Sequence, residues 1–147
     1  MKRIIALALA IAAAGLMTAA ALSTANPRSG TMHVTKTCPP SQYQGQAGGF
    51  CTITSSNINA IKPGSRVVYA SAVSGGRLNS DLVIDGPGNN TAYGHVVLDL
   101  STFIGTVTFS GGTGVFGHFS AGPIAVACPD FPDCSWDGPY SFDPKES

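Results

Sequence analysis

Two side chains that can exchange protons, His95 and Asp99, share one face of an alternating segment that runs from 93 to 100. A histidine and a carboxylate that meet in a cavity can act as a general acid and a general base. These two residues are therefore the candidate catalytic pair. Alternation also turns half of the side chains of a surface strand toward solvent. We expect solvent exposure for this face, and we favour a protein that is not an enzyme.

The sequence contains four cysteines, an even number that indicates two disulfides in an exported protein. They are Cys38, Cys51, Cys128 and Cys134. Three pairings are possible. We favour Cys38–Cys51 with Cys128–Cys134, because each pair closes a local loop rich in proline, glycine and polar residues. Neither the cysteines nor the three histidines have the spacing of a zinc site, so we expect no bound metal.

A glycine-rich run between two apolar segments matches the pattern G-x-G-x-x-G from 112 to 117. That pattern binds a pyrophosphate only where a strand leads into a helix. No helix-forming segment follows this run, so we expect no nucleotide and no other cofactor. Glycine accepts positive φ angles, which suits a tight turn between two strands. The glycines of this structural turn are Gly111, Gly112, Gly114 and Gly117.

The N-terminus has the three parts of a secretory signal peptide. Two basic residues precede an alanine-rich apolar stretch from 4 to 22, and small residues lead to Ala25. We predict cleavage after Ala25, with Ala21 as the alternative site; a retained membrane anchor is the other interpretation. Residues 1–25 are then the signal peptide, and 26–147 form a single secreted or periplasmic domain. After signal removal we expect no association with a membrane.

The composition of the remaining chain favours an all-β domain without affinity for nucleic acids. Beyond residue 25 there are six basic and eight acidic residues, and the basic residues form no cluster. The positive surface of a nucleic-acid-binding protein is therefore missing. Glycine, threonine, valine, serine and proline are abundant, whereas good helix formers are scarce.

Short alternating segments at nearly regular spacing predict eight or nine strands. The predicted strands are 31–37, 50–54, 65–71, 81–85, 93–100, 106–109, 115–121, 124–128 and 135–142. Such a series forms a closed antiparallel barrel or a sandwich. We favour a closed barrel of about eight strands, because closure removes unpaired sheet edges. Trp136, Tyr140 and Phe142 are expected to fill the core beside the last strand.

The segments Ala92–Leu98 and Phe109–Phe116 carry a family likeness. Together with the alternating strand that follows, they resemble the allene oxide cyclase barrel and the related dirigent proteins. The likeness extends from about 81 to 142 and is closest to small secreted bacterial proteins with this barrel. It implies a calycin-type barrel of eight strands with an internal apolar cavity. Because the plant members form dimers or trimers, it also implies a homo-oligomer.

These observations predict a secreted barrel that binds a small apolar ligand and is non-catalytic or only weakly catalytic. A cyclase, isomerase or dirigent-like protein that guides a reaction within the cavity is the first alternative. The second is an extracellular interaction or structural protein. An inward-facing polar cluster would favour the first alternative, since catalysis in a cavity requires groups that orient the substrate.

Overall fold

The structure, a computed structural model, describes residues 28–144. The signal peptide predicted over 1–25 lies outside this range. Eight strands account for most of the described chain, and the helical part is a single 3-10 turn at Gly114–Phe116. The strands are β1 (Ser29–Thr37), β2 (Phe50–Ser56), β3 (Arg66–Tyr69), β4 (Arg77–Asp85), β5 (Thr91–Asp99), β6 (Ile104–Gly112), β7 (Ser120–Asp130) and β8 (Asp133–Ser141).

Each strand pairs antiparallel with its neighbours in the sequence, and β8 returns to pair with β1. The closing pair runs from Ser29 opposite Ser141 to Thr37 opposite Asp133. The sheet is therefore a closed up-and-down barrel, and the predicted all-β barrel of about eight strands is confirmed. Closure gives every strand a paired neighbour on both sides, which removes the open sheet edges that favour association with another chain.

Alternation along each strand separates the core from the surface. In β1, Met32, Val34 and Lys36 are buried, whereas the residues between them are exposed. Trp136 is 1% exposed and packs edge-on against Phe109 at 5.4 Å between ring centres. The largest fully buried side chains are Trp136, Phe116, Phe119, Met32, Ile53, Ile61, Leu82, Ile84 and Ile124. The core roles predicted for Trp136 and Tyr140 are confirmed, and Phe142 packs against this core while half-buried.

Two disulfides lie at the same end of the barrel, which we call the disulfide end. They join Cys38 to Cys51 and Cys128 to Cys134, as predicted. The up-and-down order brings the β1–β2, β3–β4, β5–β6 and β7–β8 connections to this end. The other three connections, including the glycine-rich turn, lie at the opposite end, which we call the glycine end.

The prediction of a strand over 115–121 is wrong. At the glycine end, Gly114 has a φ of +58° and starts the 3-10 turn, in which the N–H of Phe116 donates to the Thr113 carbonyl at 3.0 Å. Asn90 holds this turn, since its Oδ1 accepts the N–H of Val115 at 2.9 Å. The next strand, β7, begins only at Ser120 and continues without interruption through the segment predicted as 124–128.

Candidate functional site: a cavity at the disulfide end

A cavity of about 350 Å³ lies at the disulfide end of the barrel. Its volume falls in the range of roughly 300–1,000 Å³ that is typical of small-molecule sites. Apolar side chains make up most of its wall, and the exposed residues Gln44 and Phe131 lie at its rim. The wall consists of Lys36, Cys38, Tyr43, Gln44, Gly45, Cys51, Tyr69, Val73, Leu78, Leu98, Leu100, Phe103, Phe131 and Cys134.

The ends of the strands and the connections between them build this cavity. Leu78 at the start of β4 and Leu98 at the end of β5 point inward by strand alternation. Phe131, in the turn between β7 and β8, packs against Phe103 at 5.3 Å between ring centres. The local loop predicted between Cys128 and Cys134 is mostly strand, and its turn contributes to the rim of the cavity.

Lys36 is the one charged side chain in the cavity wall, and it is 4% exposed. Its Nζ donates to the disulfide sulfurs of Cys38 and Cys51 at 3.7 and 3.9 Å. The same atom lies over two aromatic rings, 5.8 Å from the centre of Tyr69 and 5.6 Å from that of Trp136. Sulfur is a weak acceptor, so the strongest partners of this cation are the two rings.

No carboxylate of the described residues forms an ion pair with Lys36. Within residues 28–144, the ion pairs are Arg28–Asp143, His33–Asp137 and His95–Asp81, and all of these side chains are substantially exposed. Burial therefore acts on Lys36 without an opposing charge and lowers the pKa of its amine from 10.5 to about 8. Desolvation disfavours the charged form of any buried amine in this way.

Two tyrosines complete the polar part of the cavity. The Tyr69 hydroxyl donates to the Cys51 sulfur at 3.6 Å, and its ring packs against Tyr43 at 5.1 Å between centres. The buried hydroxyl of Tyr43 has no hydrogen-bond partner. Burial raises the pKa of both hydroxyls, and Tyr43 raises that of Tyr69 further. The cavity thus offers an amine and neutral hydroxyl donors within an apolar wall.

The candidate pair His95 and Asp99 lies on the outer face of the barrel, as expected for solvent-facing positions. His95 contacts Asp81 through Nδ1 at 2.8 Å and Asn79 through Nε2 at 2.7 Å. Asp99 instead accepts hydrogen bonds from the hydroxyl and the backbone N–H of Ser101, at 2.7 and 2.8 Å. These bonds hold the pKa of Asp99 below its usual value. The structure does not bring the two side chains together as hydrogen-bond partners, and neither lines the cavity.

The other predicted residues are divided between the two ends. Cys38, Cys51 and Cys134 line the cavity at the disulfide end. Gly114 and Gly117 line a second, more polar depression of about 490 Å³ at the glycine end, together with the exposed His118. Among the described residues, no group of three or more potential metal-ligating side chains is found.

Sequence reasoning missed Lys36, Tyr43 and Tyr69 as site residues. For Lys36 the signal was present, because alternation from 31 to 37 places it on the same face as Met32 and Val34. For Tyr43 there was no such signal, since it lies in a loop without periodicity.

Comparisons with protein-family models, curated proteins and solved structures find no match to this chain. The function must therefore be argued from the site itself. In the stretch from 28 to 144, no helix has the length and hydropathy needed to cross a membrane.

Proposed function

We propose that this protein is an extracytoplasmic binding protein that holds a small, largely apolar ligand in the cavity at the disulfide end. The cavity of about 350 Å³ is the observation that carries the proposal. Elsewhere the barrel interior is filled by large side chains such as Trp136, Met32 and Phe109. A ligand in this cavity would remove apolar wall area from water, which contributes roughly 25 cal/mol per Å² before the costs of association.

The location outside the cytoplasm belongs to the same proposal. Two disulfides are compatible with an oxidising compartment, and the sequence from 1 to 25 has the pattern of a signal peptide. N-terminal sequencing of the exported protein tests this part. We expect the mature chain to begin at Asn26, or at Leu22 if the alternative site is used. A chain that retains Met1 would contradict it.

Kinship with the allene oxide cyclase and dirigent proteins is also a proposal. The closed barrel of eight strands and the glycine-rich turn between β6 and β7 support it. The cavity polar groups differ from the predicted acid–base pair, since they are Lys36 and two tyrosines rather than His95 and Asp99. Ligand binding therefore has more support than a cyclase reaction that uses His95 and Asp99.

Fluorescence of N-phenyl-1-naphthylamine, a neutral apolar probe, tests the proposed cavity. We expect saturable binding with a blue-shifted emission. Leu100→Trp places an indole in the cavity wall and should weaken the binding by about tenfold or more, the equivalent of ~1.4 kcal/mol. Ile104→Trp is the matched control, because Ile104 is 62% exposed and lies outside the cavity. Equal affinities of the two variants would contradict the proposed site.

A further inference from the structure

Among residues 28–144, no carboxylate pairs with the buried amine of Lys36. An apolar side chain of similar length would fill the same space without the cost of desolvating a charge. Residues that are costly to the fold persist chiefly where they serve a function. Lys36 lines an apolar cavity, and an amine in such a position can react with a ligand that enters it.

We propose that Lys36 is a Schiff-base lysine, whose amine captures the aldehyde or ketone group of an apolar ligand that enters the cavity. This inference rests on the ligand-binding function proposed above. The lone pair of the neutral amine forms a bond to the carbonyl carbon, and one amine proton passes to the carbonyl oxygen to give a carbinolamine. The second amine proton leaves with that hydroxyl group as water, and a C=N bond remains.

The surroundings of Nζ place the amine within reach of a bound ligand. Cys38, Cys51 and Tyr69, which surround Nζ, all line the cavity, as does Lys36 itself. A carbonyl group at the inner wall would therefore meet the amine. Tyr43, whose buried hydroxyl has no hydrogen-bond partner among the described residues, lines the same cavity. It supplies a donor for the carbonyl oxygen and for the hydroxyl group that departs as water.

The apolar wall also sets the protonation state that this reaction requires. Attack needs the unprotonated amine, and burial lowers the pKa of Lys36 to about 8. The titratable groups that line the cavity with this amine are Tyr69 of β3 and Tyr43 of the β1–β2 connection, and burial raises the pKa of both. Neighbouring β2 contributes no titratable side chain, and the carboxylates of β8, Asp133 and Asp137, are exposed on the outer face. The rate of capture should therefore rise with pH and level off above about pH 8.

Reductive trapping tests the inference. The protein is incubated with decanal and sodium cyanoborohydride at about pH 7, where an ordinary lysine is almost fully protonated, and the modified lysines are identified by peptide mapping. We expect Lys36 to be alkylated about tenfold or more faster than the exposed Lys62, because its neutral fraction is larger and the cavity holds the aldehyde beside it. Decan-1-ol, which occupies the cavity but forms no imine, should slow the alkylation of Lys36 and leave that of Lys62 unchanged.

Lys36→Met provides the second arm of the experiment. This variant should keep the alkylation of Lys62, while imine capture in the cavity is lost. Alkylation of Lys36 no faster than that of Lys62, or not slowed by decan-1-ol, overturns the inference. If the neutral probe binds but Lys36 is not preferentially alkylated, only the Schiff-base assignment fails. If the probe does not bind to the native protein, the proposed binding function fails.

Discussion

The Nζ atom of Lys36 lies 5.6 Å from the centre of the Trp136 ring, inside a barrel whose other buried side chains are almost all apolar. A cation–π contact of this kind contributes about 1 kcal/mol, or ~2 when both groups are desolvated. The lowering of the Lys36 pKa from 10.5 to about 8 corresponds to roughly 3 kcal/mol of burial cost. If each of the two rings contributes about 1 kcal/mol, they offset only part of that cost, and we expect the amine to destabilise the barrel.

Replacement of this amine should stabilise the protein. At about pH 7 we expect Lys36→Met to raise the free energy of unfolding by about 1–3 kcal/mol, because an apolar side chain takes the place of a buried charge. Guanidinium unfolding with the disulfides intact measures this change. Lys62→Met is the control and should stay within about 0.5 kcal/mol, since Lys62 is exposed. A Lys36→Met variant less stable than the native protein would show that the amine holds the barrel together.

The free energy of unfolding of the native protein and that of Lys36→Met should depend differently on pH. The pKa of Lys36 is lower in the folded state than in the unfolded chain, so below about pH 8 both states carry the proton and the burial cost is fully present. Between about pH 8 and 10.5 the unfolded state binds more protons, and the stability should rise with pH. The difference in stability between the native protein and Lys36→Met should therefore shrink across this interval.

The disulfide next to Lys36 should contribute more stability than the other. Cys38 and Cys51 are 13 positions apart, whereas Cys128 and Cys134 are 6 apart. Loss of a native disulfide costs about 2–4 kcal/mol, and the cost increases with the length of the closed loop. We expect Cys38→Ala/Cys51→Ala to lose more stability than Cys128→Ala/Cys134→Ala in guanidinium unfolding. Peptide mapping without reduction should find both disulfides, and four free thiols would show that neither disulfide forms.

The barrel and its disulfides could be predicted because their signals are local. Alternation identifies each strand, and short loops rich in proline and glycine bring the cysteines together. For Lys36, alternation alone was not enough to predict a site residue. Its position in the alternation places it on the buried face with Met32 and Val34, but lysines are rarely fully buried. The residue type suggested exposure, whereas the strand geometry determined burial.

Partners across the sheet could not be predicted from one strand alone. His95 and Asp99 share a face of β5, as the alternation predicts. However, the register of β4 against β5 places Asp81 directly opposite His95, and directly opposed side chains on one face interact most closely. Asp99 is the last residue of β5, and its partner is Ser101 in the β5–β6 turn. These contacts depend on register and turn geometry, which a one-strand pattern does not contain.

Two glycines of the same turn should respond differently to substitution. A Cβ at Gly112 would overlap the carbonyl oxygen of Thr91 and lie 2.8 Å from the Cβ of Phe116. We expect Gly112→Ala to cost about 1–3 kcal/mol or more. Gly117 has a φ of −56°, and the nearest atom to its added Cβ is at 3.5 Å. Gly117→Ala should be neutral or stabilising by about 0.4–1 kcal/mol. Thermal unfolding of both variants measures the difference, and equal losses would show that crowding at Gly112 is not decisive.

The unpartnered hydroxyl of Tyr43 should matter to the ligand rather than to the fold. Tyr43→Phe keeps the ring contact with Tyr69 and removes a buried donor that has no acceptor among the described residues. We expect the free energy of unfolding to stay the same or to rise by up to about 1 kcal/mol. Capture of decanal by Lys36 should slow severalfold, because a hydrogen bond worth about 1 kcal/mol to the carbonyl oxygen is lost. Tyr93→Phe is the matched control, since Tyr93 is 46% exposed on the outer face. If Tyr43→Phe lowers the stability and leaves the capture rate unchanged, the hydroxyl serves the fold and not the bound carbonyl.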